Sequence, residues 1–412
     1  MVLSDSPTHR LPDHRSVWKA IGELVLVVGG GLLLILAIVW VTVRQSERIP
    51  VAGRTSSTRA GRAEFIGSEN CRECHPGETA SHARSGHSKT LRPVAQTPLA
   101  KRLNGAKFAD PERPGVTWSY ALRDGKLSTE RREADEIERF VIDYAFGSGH
   151  HATTLVSLTG RDPTRPTMIE HRQTVLAHKD LPDITPGQSL TVEVEGNSPS
   201  GRRYSDVNTL KCFECHTTVM SESGPNALSE ATMIPNIGCE RCHGPGRSHV
   251  EAARGGAEET ALAMPFGRGR WSPAMQLKLC GACHRLPEMG DPALLRPDNP
   301  VLARFQPVGL MLSACYLKGQ GEMSCLTCHD PHARTSTDLK AYEAVCLSCH
   351  QGSSRKPCKV SPEKACVGCH MPKRDVSRGM MMTDHWIRSR PETTANAPPL
   401  PVHDPSSNPG SE

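Results

Sequence analysis

Residues 24–43, LVLVVGGGLLLILAIVWVTV, form an apolar run without a charge. Twenty residues at about 1.5 Å each cover about 30 Å, the hydrocarbon thickness of a bilayer. Trp18 and Trp40 suit its two interfaces. A cleaved signal peptide would have a shorter apolar region, and VAG at 51–53 is a poor cleavage site. The pattern predicts an N-terminal transmembrane helix that anchors the chain, with residues 1–23 cytoplasmic. Residues 44–63 are rich in Arg, Ser, Thr and Gly and read as a linker. Residues 391–412 are rich in Pro, Asn and Ser and read as a disordered tail. Between them, 64–390 forms one folded region. Its best strand signals fall in 108–200. WSYALRDGKLSTERRE carries an Asp124-Gly125 hairpin turn between two extended runs, and QSLTVEVEG alternates polar and apolar. The C-terminal part offers short helical stretches broken by Pro and Gly. The expected fold is mainly α with long loops, plus a small β-containing insert at 108–200.

Cysteine spacing changes this picture. The form Cys-x-x-Cys-His occurs at 71–75, 212–216, 239–243, 280–284, 325–329, 346–350 and 366–370. It is the attachment signal for c-type haem. Two thiols three positions apart share one face of a helical turn and reach two porphyrin vinyl groups. The following histidine then lies under the ring and binds iron. Zinc or a redox dithiol also uses Cys-x-x-Cys, but neither requires the histidine. Composition alone predicts about 0.03 such pentapeptides in this chain. Seven covalently bound haem c groups are therefore expected. Their cysteines are Cys71, Cys74, Cys212, Cys215, Cys239, Cys242, Cys280, Cys283, Cys325, Cys328, Cys346, Cys349, Cys366 and Cys369. Their iron-binding histidines are His75, His216, His243, His284, His329, His350 and His370.

Aromatics are only 4% of the chain and hydrophobics 37%, too few for an ordinary core of this size. Seven flat apolar haems supply what is missing. Six motifs share residues 212–370, so neighbouring haems must approach closely and form a chain for electrons. The core is expected to be organised around stacked haems. Net charge is +5 with both signs mixed and no basic run, which argues against a nucleic-acid partner. Haem attachment occurs outside the cytoplasm, so the haem domain is expected on the periplasmic side of the cytoplasmic membrane. The flanking charges oppose this: Arg10, Arg15 and Lys19 precede the run, while Arg44, Arg48, Arg54, Arg59 and Arg62 follow it. Long domains translocate largely regardless of such charges.

Cys315 and Cys358 are left over. A disulfide between them leads in an oxidising compartment. Buried thiols, or Cys315 as an axial thiolate, are the alternatives. Nine further histidines are candidate second iron ligands: His82, His87, His150, His151, His171, His178, His249, His332 and His385. His332 is three residues past His329 and cannot reach the same iron from the other side, so it is free for a neighbouring haem. The same holds for His249 after His243. Met371 likewise cannot circle to the iron of His370.

The segments FIGSENCRECHPGETASHARSGHS, GCERCHGPGRSH, SCLTCHDPH, and CVGCHMP followed by TDHWIR resemble the multihaem cytochromes related to the nitrifier tetrahaem cytochrome c. That group is allied to pentahaem nitrite reductase and octahaem hydroxylamine oxidoreductase. The resemblance covers about residues 64–390. It implies haems in alternating parallel and perpendicular pairs, with His87, His249, His332 and His385 as distal ligands. It points to His151 and His171 as further ligands, with His82 competing with His87 and His150 with His151. All seven motifs end in His, unlike the lysine motif of the nitrite reductases, and no tyrosine occupies a setting like the cross-linked one of the hydroxylamine enzymes. The leading expectation is therefore a membrane-anchored electron-transfer protein that serves redox protein partners. The alternative is an oxidoreductase of small nitrogen or sulfur compounds at one open-coordination haem.

Overall fold

The computed structural model describes residues 61–179, 181–190, 196–258, 262, 264–267, 271–289, 291–319, 321–350, 358 and 365–389. The apolar run at 24–43, most of the linker and the C-terminal tail lie outside them.

Strand content is far larger than a small insert. Fifteen strands in four sheets are present among the described residues, so the expectation of a mainly α fold is wrong. One sheet is a four-stranded meander of β2 (Lys107–Ala109), β3 (Val116–Arg123), β4 (Lys126–Glu133) and β5 (Glu136–Ile142), which follow β1 (Leu91–Pro93). The β3–β4 turn is the expected one: Asp124 and Gly125 have φ of 48° and 71°, and two positive values suit the twist of a two-residue hairpin. Alternation along β3 puts Val116, Trp118 and Tyr120 inside. On β4 it buries Leu127, Thr129 and Arg131, whose guanidinium is neutralised by Glu133 and Glu138.

The other large sheet is antiparallel and has seven strands. It adds β6 (Tyr144–Phe146), β7 (Ala152–Gly160), β8 (Thr167–Leu176), β9 (Asp183–Ile184), β10 (Asn197–Ser198) and β11 (Gly201–Tyr204). The order is β1-β6-β7-β8-β11-β10, with β9 also on β8. Strand β8, TMIEHRQTVL, is buried along nearly its whole length. A strand covered on both faces shows no alternation, which is why the sequence pattern missed it. Of the alternating stretch 188–196, residues 188–190 form no strand and 191–195 lie outside the described residues.

This sheet is no appendage. Phe213, from the helix Asp206–His216 that carries the second motif, packs edge-on against Tyr144 and Phe146, with ring centres 5.5 and 5.2 Å away. The two main apolar clusters both belong to the sheets. Among the described residues the C-terminal half has a small cluster around Ala303, Val376 and Met380. Its helices end in the motifs, as in Pro273–His284 and Leu339–His350, and the second of these has no buried residue. These helices turn their apolar sides to a cavity instead of to each other.

The placement in the cytoplasmic membrane is not retained. Among the described residues, no helix is long and apolar enough to cross a membrane, and the segment on which that expectation rested lies outside them.

Candidate haem cavity

One connected cavity of about 5390 Å³ runs through the motif-bearing half, and Cys and His side chains of all seven motifs line it. Shared among seven, this is about 770 Å³ each, within the ~300–1,000 Å³ typical of a single ligand pocket. Cysteines of different motifs nearly touch across it. Cys71 lies within hydrogen-bond reach of Cys239, Cys215 of Cys283, and Cys280 of Cys325.

Four motif histidines face a second imidazole. Ring centres are 6.3 Å apart for His75 and His249, with planes 25° apart. His243 and His332 are at 5.9 Å with nearly parallel planes, 5° apart. His284 and His87 are at 6.3 Å, and His329 and His385 at 6.2 Å. In each pair the partner follows a different motif.

The rings are held by one recurring bond at Nδ1. It reaches a backbone oxygen in several cases: His216 to Thr90 at 2.9 Å, His243 to Phe266 at 2.7 Å, and His249 to Leu262 at 2.7 Å. His370 reaches Arg388 at 3.1 Å and His385 reaches Thr383 at 2.9 Å. His87 bonds the carbonyl of Pro331, and His332 faces Asp330 at 3.3 Å. An Nδ1–H that donates in this way fixes the tautomer and leaves the Nε2 lone pair bare. Burial depresses the pKa of His87, His216, His243, His284 and His329, and that of His385 to about 4. Each is then neutral near pH 7, the form that binds a metal.

The remaining candidates are placed differently. His171 sits on β8, 1% exposed, with Nε2 2.7 Å from Ser157 Oγ and its ring edge-on to Phe140. The structure does not bring it to the cavity. His150 and His151 both line the cavity, 4.8 Å apart, with Arg334 Nη2 3.1 Å from His150 Nδ1. Both feel the charge of Lys373, three residues past His370. His82 bonds the Ile237 carbonyl, and His178 lies against the backbone at Gly379. No ring contact joins His216, His350 or His370 to a second imidazole among the described residues. His216 instead packs against Phe146 at 4.7 Å. Cys315 and Cys358 both line the cavity.

Residues 188–244 match the family described as cytochrome c554 and c-prime. The dissimilatory sulfite reductase MccA of Wolinella succinogenes is 24% identical over 357 residues, 74% of this chain and 47% of that protein. The chain is a multihaem c-type cytochrome. It spans about half the length of the curated relative it matches. The outer cell wall cytochrome OcwA covers 79% of the cytochrome, and 80% of OcwA is covered in turn, at 16% identity and a TM-score of 0.42.

The cavity fits haem c groups. Metal–nitrogen bonds of about 2.0 Å on both sides, plus roughly 1.2 Å from ring nitrogen to ring centre on each side, put two axial imidazoles about 6.4 Å apart. The four observed spacings run from 5.9 to 6.3 Å.

Sequence reasoning missed several polar groups around this cavity. Tyr342 meets His329 Nδ1 at 3.4 Å through its hydroxyl. Near Cys212 stand Glu170, Tyr204 and Arg285, and Arg304 lies within the field of Glu170. Tyr204 donates to Glu170 Oε2 at 3.1 Å and Gln188 Nε2 does so at 2.9 Å. Burial raises the Glu170 pKa. Arg285 follows the fourth motif in a left-handed conformation, φ 65°, with its guanidinium 4.9 Å from the Phe305 ring centre. No local sequence signal marks this group, because its members come from four separate elements.

Proposed function

We propose that the cytochrome binds seven haem c groups, one at each Cys-x-x-Cys-His, and conducts electrons between redox protein partners. The paired cysteines of each motif form the thioethers, and the motif histidine is one axial ligand. His249, His332, His87 and His385 serve as second ligands at the first, third, fourth and fifth motifs. His151 is assigned to the seventh. When bound, the haems supply one-electron chemistry, and the protein's part is spacing, ligation and exclusion of water. The four imidazole pairs in one shared cavity carry this reading. Mass spectrometry for haem count and EPR of the oxidised protein test it. The expected result is seven haems, with at least four low-spin bis-histidine signals. Fewer than seven haems, or mostly high-spin iron, would overturn it.

A second reading is favoured at the second motif. His216 faces no other imidazole among the described residues, while Arg285, Arg304, Tyr204 and the buried Glu170 line the cavity. Two guanidinium groups beside a protonatable carboxyl suit a small oxyanion that takes up electrons and protons. The matched relative is a sulfite reductase by name. Haem propionates are the competing partners for the arginines. Sulfite or nitrite should perturb a high-spin signal in the cytochrome, and Arg304→Ala should weaken that response at least tenfold. No response to either anion leaves electron conduction alone.

A further inference from the structure

The third motif, CERCH, contains Glu240, only 4% exposed. Its carboxylate accepts three backbone N–H bonds: Oε1 from Ile66 at 2.9 Å and from Gly246 at 2.8 Å, and Oε2 from Gly67 at 2.8 Å. Gly246 is the N-cap of helix Arg247–Arg254, which carries His249. Gly67 is the N-cap of the short helix that ends at Cys71. The side chain therefore ties together the approach to the first motif, the third motif, and the helix whose histidine faces His75. Among the described residues no lysine or arginine forms an ion pair with it, in contrast to the buried Asp110, which holds Arg172. Its field reaches both Cys71 and Cys239, whose thiols face each other.

Three backbone N–H dipoles point their positive ends at this carboxylate, and no cation among the described residues pairs with it. A fixed negative charge near two haems stabilises the oxidised iron over the reduced iron, because the oxidised form carries one more positive charge. We infer that Glu240 holds the reduction potentials of the first and third haems down, besides fixing the approach of one site to the other. This rests on the haem assignment proposed above.

Spectroelectrochemical titration of the holoprotein tests it, with the haems assigned by their EPR signals. Glu240→Gln keeps the shape and removes the charge. It should shift two of the seven one-electron steps toward reduction by about tenfold, ~59 mV each, and leave five unmoved. Ile66→Lys brings a cation to the carboxylate without removing it, and should move the same two steps in the same direction. A full haem count with no step moved in either variant overturns the inference, as does a uniform shift of all seven. A haem count below seven in the unaltered chain overturns instead the assignment beneath it.

Discussion

Replacement of His332 by alanine isolates one pair. His332 sits on the turn after the fifth motif, yet its ring lies 5.9 Å from that of His243, in the third motif, with planes 5° apart. The arrangement leaves room for one iron between them and none for a further ligand. Among the described residues no other imidazole makes a ring contact with His243, and Trp271, at 6.3 Å, offers no lone pair to a metal. Alanine removes all ligand atoms and leaves a hole the size of an imidazole ring. The proposed attachment through Cys239 and Cys242 is untouched, so haem content should not change. On the proposed count the spectrum should change by one part in seven: one low-spin signal lost, one high-spin signal gained, and the pairs at His75, His284 and His329 retained. Added free imidazole should enter the hole and restore the low-spin signal. EPR at low temperature, integrated against a copper standard, reads this directly. An unchanged spectrum refutes the pairing. Loss of two or more low-spin signals shows that the turn, not the ligand, was what the substitution destroyed.

Other outcomes follow from the same geometry. His171→Ala should leave every haem signal in place but lower stability by about 1–3 kcal/mol in urea unfolding, since Ser157 loses its buried partner. A changed EPR spectrum would place His171 at an iron after all. Burial lowers the pKa of His171 to about 3, against about 6.5 when unfolded. The unfolded chain then binds the extra proton, so this contribution is complete above pH 6.5. It falls by about 1.4 kcal/mol per unit as pH drops from there toward 3, and urea midpoints of His171→Ala should show a flatter acid limb. Asp110→Ala leaves the buried Arg172 with only Glu112 as carboxylate partner and should cost about 3–5 kcal/mol. A midpoint change equivalent to less than 1 kcal/mol would mean that Glu112 suffices.

The sequence was most legible where chemistry demands a fixed local spacing. Cys-x-x-Cys-His works as a pentapeptide, so it can be read without the fold. The Asp124-Gly125 hairpin was legible for a similar reason, because two positive φ values are a local requirement. Second ligands were harder. Spacing could say that His332 is free for another haem than that of His329, but not which one. His171 was expected at an iron from the resemblance of its segment, IEHR, but the structure does not bring it to the cavity. On β8 it is buried, with Nε2 bonded to a serine from β7. Burial on both faces hid β8 itself and made the sheet look like a minor insert. Glu240 and Tyr342 were invisible, since their partners come from remote segments.

The imidazole pairs also bear on how the molecule is made. No paired site closes within its own stretch of chain. The first motif waits for His249, the third for His332, and the fifth for His385; the fourth takes His87 from a segment made much earlier. The Pro331 carbonyl that holds His87 arrives only with the fifth motif. Haems attached during synthesis would lack a sixth ligand until the matching segment emerged. Maturation would then complete in stages as His249, His332 and His385 arrive in turn, and truncation before His385 would damage the fifth site, upstream of the cut.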